Sequence, residues 1–189
     1  MKVIQLHQEE KQLIMLAVEN NRQAQQQIYA KFSSKMLSVC RQYIKDIHHA
    51  EDVMITGFMK VFTNLKNFEH KGSFEGWIRR IMVYECIDFL LVKKNNFNHQ
   101  DIDDVTVSEN ESVYEMEDFS VDDIQNMIDN LPDGYKMVFN LYAIEGYKHQ
   151  EIAEMLKISE GTSKSQLSHA RKLLQQQITD LKNKLNGTK

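Results

Sequence analysis

Turn-forming residues are scarce in this chain. Its 189 residues include one proline and seven glycines, too few for the closely spaced turns of an all-β fold, and Gln, Lys, Glu, Leu, Ile and Met are plentiful, which favours helix. No run of about 18 apolar residues occurs, so a membrane-spanning helix is not expected. Residues 1–10 lack the apolar stretch and small-residue cleavage site of a secretory signal. Only two cysteines are present, Cys40 and Cys86; each lies inside a helical apolar pattern without C-x-x-C spacing, which reads as two buried small hydrophobes rather than a disulfide or a metal site. Also missing are a glycine-rich phosphate loop, a nucleophile elbow, an H-E-x-x-H motif and a paired-carboxylate constellation, which argues against an enzyme or a cofactor. His48 and His49 stand beside Glu51 and Asp52, but no second His/Cys set follows, and acids at a helix start favour the macrodipole, so no metal is expected. These absences leave an all-α, cytoplasmic, non-enzymatic protein whose 42% hydrophobic content is enough for two small cores.

What is present is a sharp partition of charge beneath a formal net charge of -4. Residues 1–95 carry 14 Lys and Arg against 10 Asp and Glu; residues 96–130 carry none against 11; residues 131–189 carry 9 against 6. The acidic middle includes Asp101, Asp103, Asp104, Glu109, Glu111, Glu115, Glu117 and Asp118. It is too weakly apolar to fold alone, so residues 96–119 are expected to form a flexible linker between a domain at 1–95 and another at 120–189. Composition leaves two roles open for it: a self-repelling spacer, or a nucleic-acid mimic that occupies a basic channel or screens the domains' own basic faces.

Apolar residues recur at three- and four-residue spacing from Leu13 to Val18, then through Ala24, Ile28, Phe32, Met36, Val39, Cys40 and Tyr43, and again through Ala50, Val53, Met54, Phe58, Val61, Phe62 and Leu65. This is the period of one-sided helices. A polar loop is expected over residues 67–73, with Ser73 capping a helix that carries Phe74, Trp77, Ile78, Ile81, Met82, Ile87 and Leu90. Trp77 at that spacing reads as core, although Arg79 and Arg80 beside it also suit stacking on exposed bases.

Beyond the acidic segment, residues 121–128 form a short amphipathic pattern. Pro132 starts a further helix, which Gly146 is expected to close. A two-turn helix over residues 149–156, a turn at Lys157-Ile158-Ser159 and a long helix over residues 160–185 then have helix-turn-helix spacing. Ile152, Met155, Ile158 and Leu167 are positioned to pack between the two helices, Ala153 to let them approach, and Ser159 to cap the second. Ser163, Lys164, Gln166 and His169 occupy its first turns, where a recognition helix presents side chains to the major groove.

Two blocks of the chain together resemble the extracytoplasmic-function group of bacterial sigma factors, in particular the type common in Bacteroidetes-like bacteria. The first runs from His49-Ala50-Glu51-Asp52-Val53 through Phe58-Met59-Lys60-Val61-Phe62 to Phe74-Glu75-Gly76-Trp77-Ile78-Arg79-Arg80-Ile81 and Asp88-Phe89-Leu90. It is similar to the family's second conserved region. The second contains Leu131-Pro132, Tyr142, Glu145-Gly146-Tyr147, Glu151-Ile152-Ala153, Ile158-Ser159-Glu160-Gly161-Thr162-Ser163-Lys164-Ser165-Gln166-Leu167-Ser168 and Ala170-Arg171-Lys172-Leu173-Leu174, and is similar to the fourth.

The resemblance implies a transcription initiation factor that partners core RNA polymerase, at its beta-prime clamp helices and beta flap, and promoter DNA, with an anti-sigma factor or recruiting protein as a further partner. It puts Glu51, Asp52, Ile55 and Phe58 at the polymerase. It assigns Asn67, Phe68, His70, Lys71, Trp77, Arg79 and Arg80 to the start-proximal promoter element, and Thr162, Ser163, Lys164, Ser165, Gln166, His169 and Arg171 to the upstream element. The linker would thread into the polymerase. Departures from the family pattern fall at Ile55-Thr56, where Gln-Glu is usual, at Tyr84, where Asn is usual, and at Leu91, where Arg is usual. They imply weak reading of the start-proximal element. The modest basic excess of residues 1–95 and 131–189 keeps a second reading open, a helical adaptor that binds protein partners with little DNA specificity.

Overall fold

A computed structural model of the chain describes residues 2–96 and 120–186. The acidic stretch from 97 to 119 lies outside the described residues, and so does the expectation of a flexible linker there. Among the described residues there are eight α-helices and no strand, the all-α class that composition predicts. The chain divides into two compact units, Met1–Leu91 and Val92–Lys189.

Four helices build the N-terminal unit. Helix α1 covers Lys2–Val18 and α2 covers Arg22–Tyr43. Asn20 turns the chain between them in the left-handed region, at φ 61°, and Asn21 accepts the Ala24 amide at 3.1 Å to cap α2. Helix α3 (Ile47–Asn64) opens on Asp46, whose Oδ1 accepts the His49 amide at 2.9 Å. That bond holds the Asp46 carboxyl below its ordinary range. A 3-10 turn, Leu65–Asn67, leads into the loop over residues 68–73. Helix α4 (Phe74–Asn96) then starts at the expected cap, Ser73, which accepts the Gly76 amide at 3.0 Å.

Each of α2, α3 and α4 turns one apolar stripe inward, as the periodicity requires. Ile28, Phe32, Met36 and Tyr43 meet Ala50, Phe58 and Val61, and Phe74, Ile78, Met82 and Ile87 complete the core. Burying each large side chain stabilises the fold by roughly 1.5–3 kcal/mol. Cys40 and Cys86 are both buried. Helices α3 and α4 come close at Gly57, where a Cβ would overlap the Met82 Sδ. This contact accounts for a weak helix former in mid-helix.

The C-terminal unit is made of shorter helices packed on one long one. In α5 (Val121–Asp129) the cap is reciprocal: Ser120 Oγ accepts the Asp123 amide at 3.1 Å, and Asp123 Oδ2 accepts the Ser120 amide at 3.1 Å. The Ser120 hydroxyl also donates to Asp123, and it is the main cause of that carboxyl's lowered pKa. Pro132 occupies the cap position of α6 (Asp133–Phe139). Gly146 does not itself end this helix. A π turn at Asn140–Ile144 comes first, with the Glu145 amide reaching back to the Asn140 carbonyl at 3.0 Å, and Gly146 follows at φ 77°.

Helices α7 (His149–Leu156) and α8 (Glu160–Asn186) are joined by the three residues expected, Lys157 adopting the left-handed conformation at φ 55° and ψ 44°. Both α6 and α7 pack on α8. Ile152, Leu156, Leu167 and Ala170 fill the space with Leu131, Val138 and Leu141. Leu156 takes the inner place that the sequence reading gave to Met155 and Ile158, both of which are half-buried. The unit also buries an ion pair: Lys136 Nζ on α6 lies 3.5 Å from Asp129 Oδ1 at the end of α5.

Candidate nucleic-acid interface

The start of α8 is set by Ser159. Its Oγ accepts the Thr162 amide at 2.9 Å and lies 2.8 Å from Thr162 Oγ1. From there the helical period separates two faces. Ser163, Leu167 and Ala170 point inward, leaving Lys164, Ser165, Ser168 and Arg171 exposed. Ser163 therefore cannot contact DNA as the sequence reading had it: it is 0% exposed, and its Oγ lies 2.9 Å from His149 Nδ1 at the start of α7.

The exposed face is already occupied by internal contacts. Lys164 Nζ lies 2.7 Å from Glu160 Oε1, one turn earlier. The hydrogen bond and charge of Lys164 hold the Glu160 carboxyl below its usual range. Ser165 Oγ donates to the Thr162 carbonyl at 3.0 Å. Gln166 and His169 are half-buried on the flank toward α6. A Cβ at Gly134 would come within 3.2 Å of Gln166 Nε2, and His169 stacks on Tyr135 with ring centroids 5.5 Å apart. The Arg171 guanidinium stands over the Tyr142 ring, 5.7 Å from its centroid.

In the N-terminal unit the 3-10 turn exposes Asn67, and the loop after it exposes His70 and Lys71. Its backbone is left-handed at His70 (φ 57°) and Gly72 (φ 94°), and Lys71 pairs with Glu69 at 2.6 Å. Phe68 departs from expectation. It is 8% exposed, with its ring 5.1 Å from Phe74 and 5.5 Å from Trp77, so it anchors the loop in the core instead of meeting DNA. Trp77 is half-buried and stacks on Phe74 at 5.9 Å. Arg79 is half-buried; Arg80 is exposed and lies over the ring of Tyr84, 5.8 Å from its centroid.

Along α3, Glu51 and Asp52 are exposed, as are Ile55 (49%) and, one turn later, Met59 (66%). Phe58 lies on the other side of the helix. At 2% exposure and with its ring edge-on to Tyr29 at 4.8 Å, it supports the surface without forming part of it, contrary to the sequence reading. The Thr56 hydroxyl donates to the Asp52 carbonyl at 2.9 Å and so is engaged within the helix.

Two family models match the chain: Sigma-70 region 2 over residues 28–95 and Sigma-70, region 4 over residues 121–174. The ECF RNA polymerase sigma factor SigW of Bacillus subtilis is 29% identical over 163 residues, covering 79% of this chain and 86% of that protein. This chain belongs to the extracytoplasmic-function sigma factors. The sigma-E factor of Haemophilus influenzae is a further relative of this sigma factor, 24% identical over 169 residues, with 82% of this chain and 87% of that one covered. Its fold resembles the sigma factor RpoE of Bartonella quintana, solved with the anti-sigma factor NepR: TM-score 0.52, 20% identity, 82% of this chain and 96% of that one covered.

As an alternative sigma factor the protein directs promoter-specific transcription initiation with RNA polymerase and is not an enzyme, which disposes of the adaptor reading. Among the described residues no helix is long and apolar enough to cross a membrane. Sequence reading missed Tyr142 and His149 as participants in the region-4 surface, because stacking between rings 7 residues apart depends on the π turn. Met59 was within reach: it lies four residues beyond Ile55 on the same helix face.

Proposed function

We propose that the two units of this sigma factor share promoter engagement unequally, with helix α8 selecting the upstream element and the N-terminal unit mainly gripping polymerase and assisting melting. The observation that carries this reading is the exposed row of Lys164, Ser165 and Arg171, held outward by the buried Ser163, Leu167 and Ala170. Thr162, Gln166 and His169 flank the row. Presented to a major groove, such a row offers two cations and a hydroxyl to phosphates and base edges.

In the N-terminal unit Glu51, Asp52 and Ile55 face the polymerase clamp helices, with Met59 extending the patch. The loop bearing Asn67, His70 and Lys71 receives a flipped base, and Trp77, Arg79 and Arg80 border the separated strands. Capture of an unstacked base stabilises the open form by differential binding and needs no chemistry on the DNA. Tyr84 stands exposed beneath Arg80, and Ile55-Thr56 and Leu91 replace the polar residues usual in the family. These substitutions weaken selection of the start-proximal element.

Residues 1–95 carry only a small positive excess and residues 120–189 balance nine Lys and Arg against nine Asp and Glu, which leaves most phosphate affinity to the polymerase, so the free protein binds DNA poorly and the holoenzyme tightly. The factor works in the cytoplasm, its region-4 unit docking on the beta flap, under an anti-sigma factor or a recruiting partner. Run-off transcription with purified core polymerase tests the division of labour. Scrambling the upstream element should abolish transcript, and scrambling the start-proximal element should cost much less; the opposite ranking would refute the proposal.

A further inference from the structure

Arg171 is the most distal cation of the recognition row, and its long side chain is not left to solvent. Its guanidinium lies 5.7 Å from the centroid of the Tyr142 ring. The same ring stacks on His149, centroids 4.6 Å apart and planes 21° from parallel. His149 is itself held through Nδ1 by Ser163 Oγ at 2.9 Å, and Ser163 is wholly buried. The contacts leave α8 at Ser163, pass through the first turn of α7 and the π turn after α6, and return to α8 at Arg171, two turns further on.

The π turn makes this possible. An α-helix widened by one residue changes the direction of the side chains that follow, and here Leu141 is fully buried while Tyr142, the next residue, is brought out to the surface beside α8. A tyrosine on an exposed turn would otherwise be free to rotate. Clamped by His149, it offers a fixed π face that narrows the guanidinium's range before DNA arrives.

From this we infer that Tyr142 is a positioning residue for promoter binding: held by His149 and Ser163, it pre-orients Arg171 toward the upstream element. The inference rests on the reading of Arg171 as a DNA contact. Restricting a flexible arginine in its binding geometry raises affinity by lowering the ordering cost of association, without adding a contact.

The test uses full-length factor with core polymerase and, as probe, a duplex fragment that the wild-type holoenzyme has captured from fragmented genomic DNA, with affinity followed over a range of salt concentrations. Arg171→Gln should weaken binding and flatten the log-log salt slope by about one. Tyr142→Leu should weaken binding by roughly two- to fivefold and lose its effect in the Arg171→Gln background. Tyr142→Phe, which keeps the ring, should bind like wild type. His149→Leu, which leaves Tyr142 in place but removes its clamp, should give a smaller loss that also vanishes without Arg171; it keeps the test alive if Tyr142→Leu disturbs folding. Additive losses with Arg171→Gln, or a Tyr142→Phe defect equal to that of Tyr142→Leu, would overturn the positioning role while Arg171 stands as a contact. An Arg171→Gln factor with unchanged affinity and salt slope would instead sink the DNA-contact reading, and the positioning role with it.

Discussion

The two units are built by different means. In the N-terminal unit, helices of 17 to 23 residues bury aliphatic and aromatic side chains almost exclusively, and the loop over residues 68–73 is attached by a ring cluster of Phe32, Phe68, Phe74 and Trp77. In the C-terminal unit, helices of 7 to 9 residues surround α8, and Asp129, Lys136, Asn140 and Ser163 are all buried among them. Short helices have little apolar area with which to define their register. Hydrogen bonds and charge pairs are directional and do define it, at the cost of desolvation. The unit that carries the helix-turn-helix is thus the one that places polar groups inside.

The contrast can be broken experimentally, since Trp77 is the sole tryptophan and its emission reports the N-terminal unit. The largest effect is expected from Lys136→Met. It removes the Lys136 charge from the buried Asp129 carboxylate and should destabilise the C-terminal unit by about 3–5 kcal/mol, seen as loss of helical circular dichroism at lower urea with the Trp77 transition in place. Adding Asp129→Leu should recover most of the loss; a double variant as unstable as the single one would deny the pair its role. In the N-terminal unit the corresponding fault is steric. Gly57→Ala forces a methyl against Met82 and should cost about 1–3 kcal/mol, this time moving the Trp77 transition. An unmoved transition would mean that Met82 swings aside freely.

Smaller effects separate framework from surface. Helix α7 is capped by Lys148, whose amide donates to Glu151 at 2.7 Å but whose side chain provides no acceptor in return. Lys148→Ser completes the reciprocal cap and should stabilise the C-terminal unit by about 0.5–1 kcal/mol; an unchanged urea midpoint would show the cap already saturated. On the proposed recognition face, a Lys164 that contacts a DNA phosphate must give up its pairing with Glu160. Glu160→Gln should tighten holoenzyme binding roughly two- to fivefold at low salt, with a steeper salt dependence. Because the folded Glu160 carboxyl titrates below its ordinary range, its pairing is present at neutral pH and fades only as pH falls through that lowered value. Equal affinity of the two proteins at neutral pH would show that Lys164 does not reach the backbone.

Much of the architecture was legible in the residues themselves. The caps at Ser73 and Ser159, the turn at Lys157 and the inward stripes of α2, α3 and α4 depend on neighbours within four positions, which sequence displays directly. The binding surface was less legible. Ser163, Phe58 and Phe68 have the chemistry of contact residues, and each is buried. For Ser163 the four-residue spacing to Leu167 gave a usable warning. For Phe68, in a loop without a period, there was none.

The amino-acid sequence by itself determined the helical class, the helix-turn-helix, the charge partition and the resemblance to sigma factors, because local propensity, side-chain spacing and motif are properties of the chain. Tertiary structure alone decided which of the polar and aromatic candidates face outward, and which cations already have partners. Those outcomes depend on approaches between residues far apart in the chain, at Gly57 against Met82 and at His149 against Ser163, and no local pattern encodes such a distance.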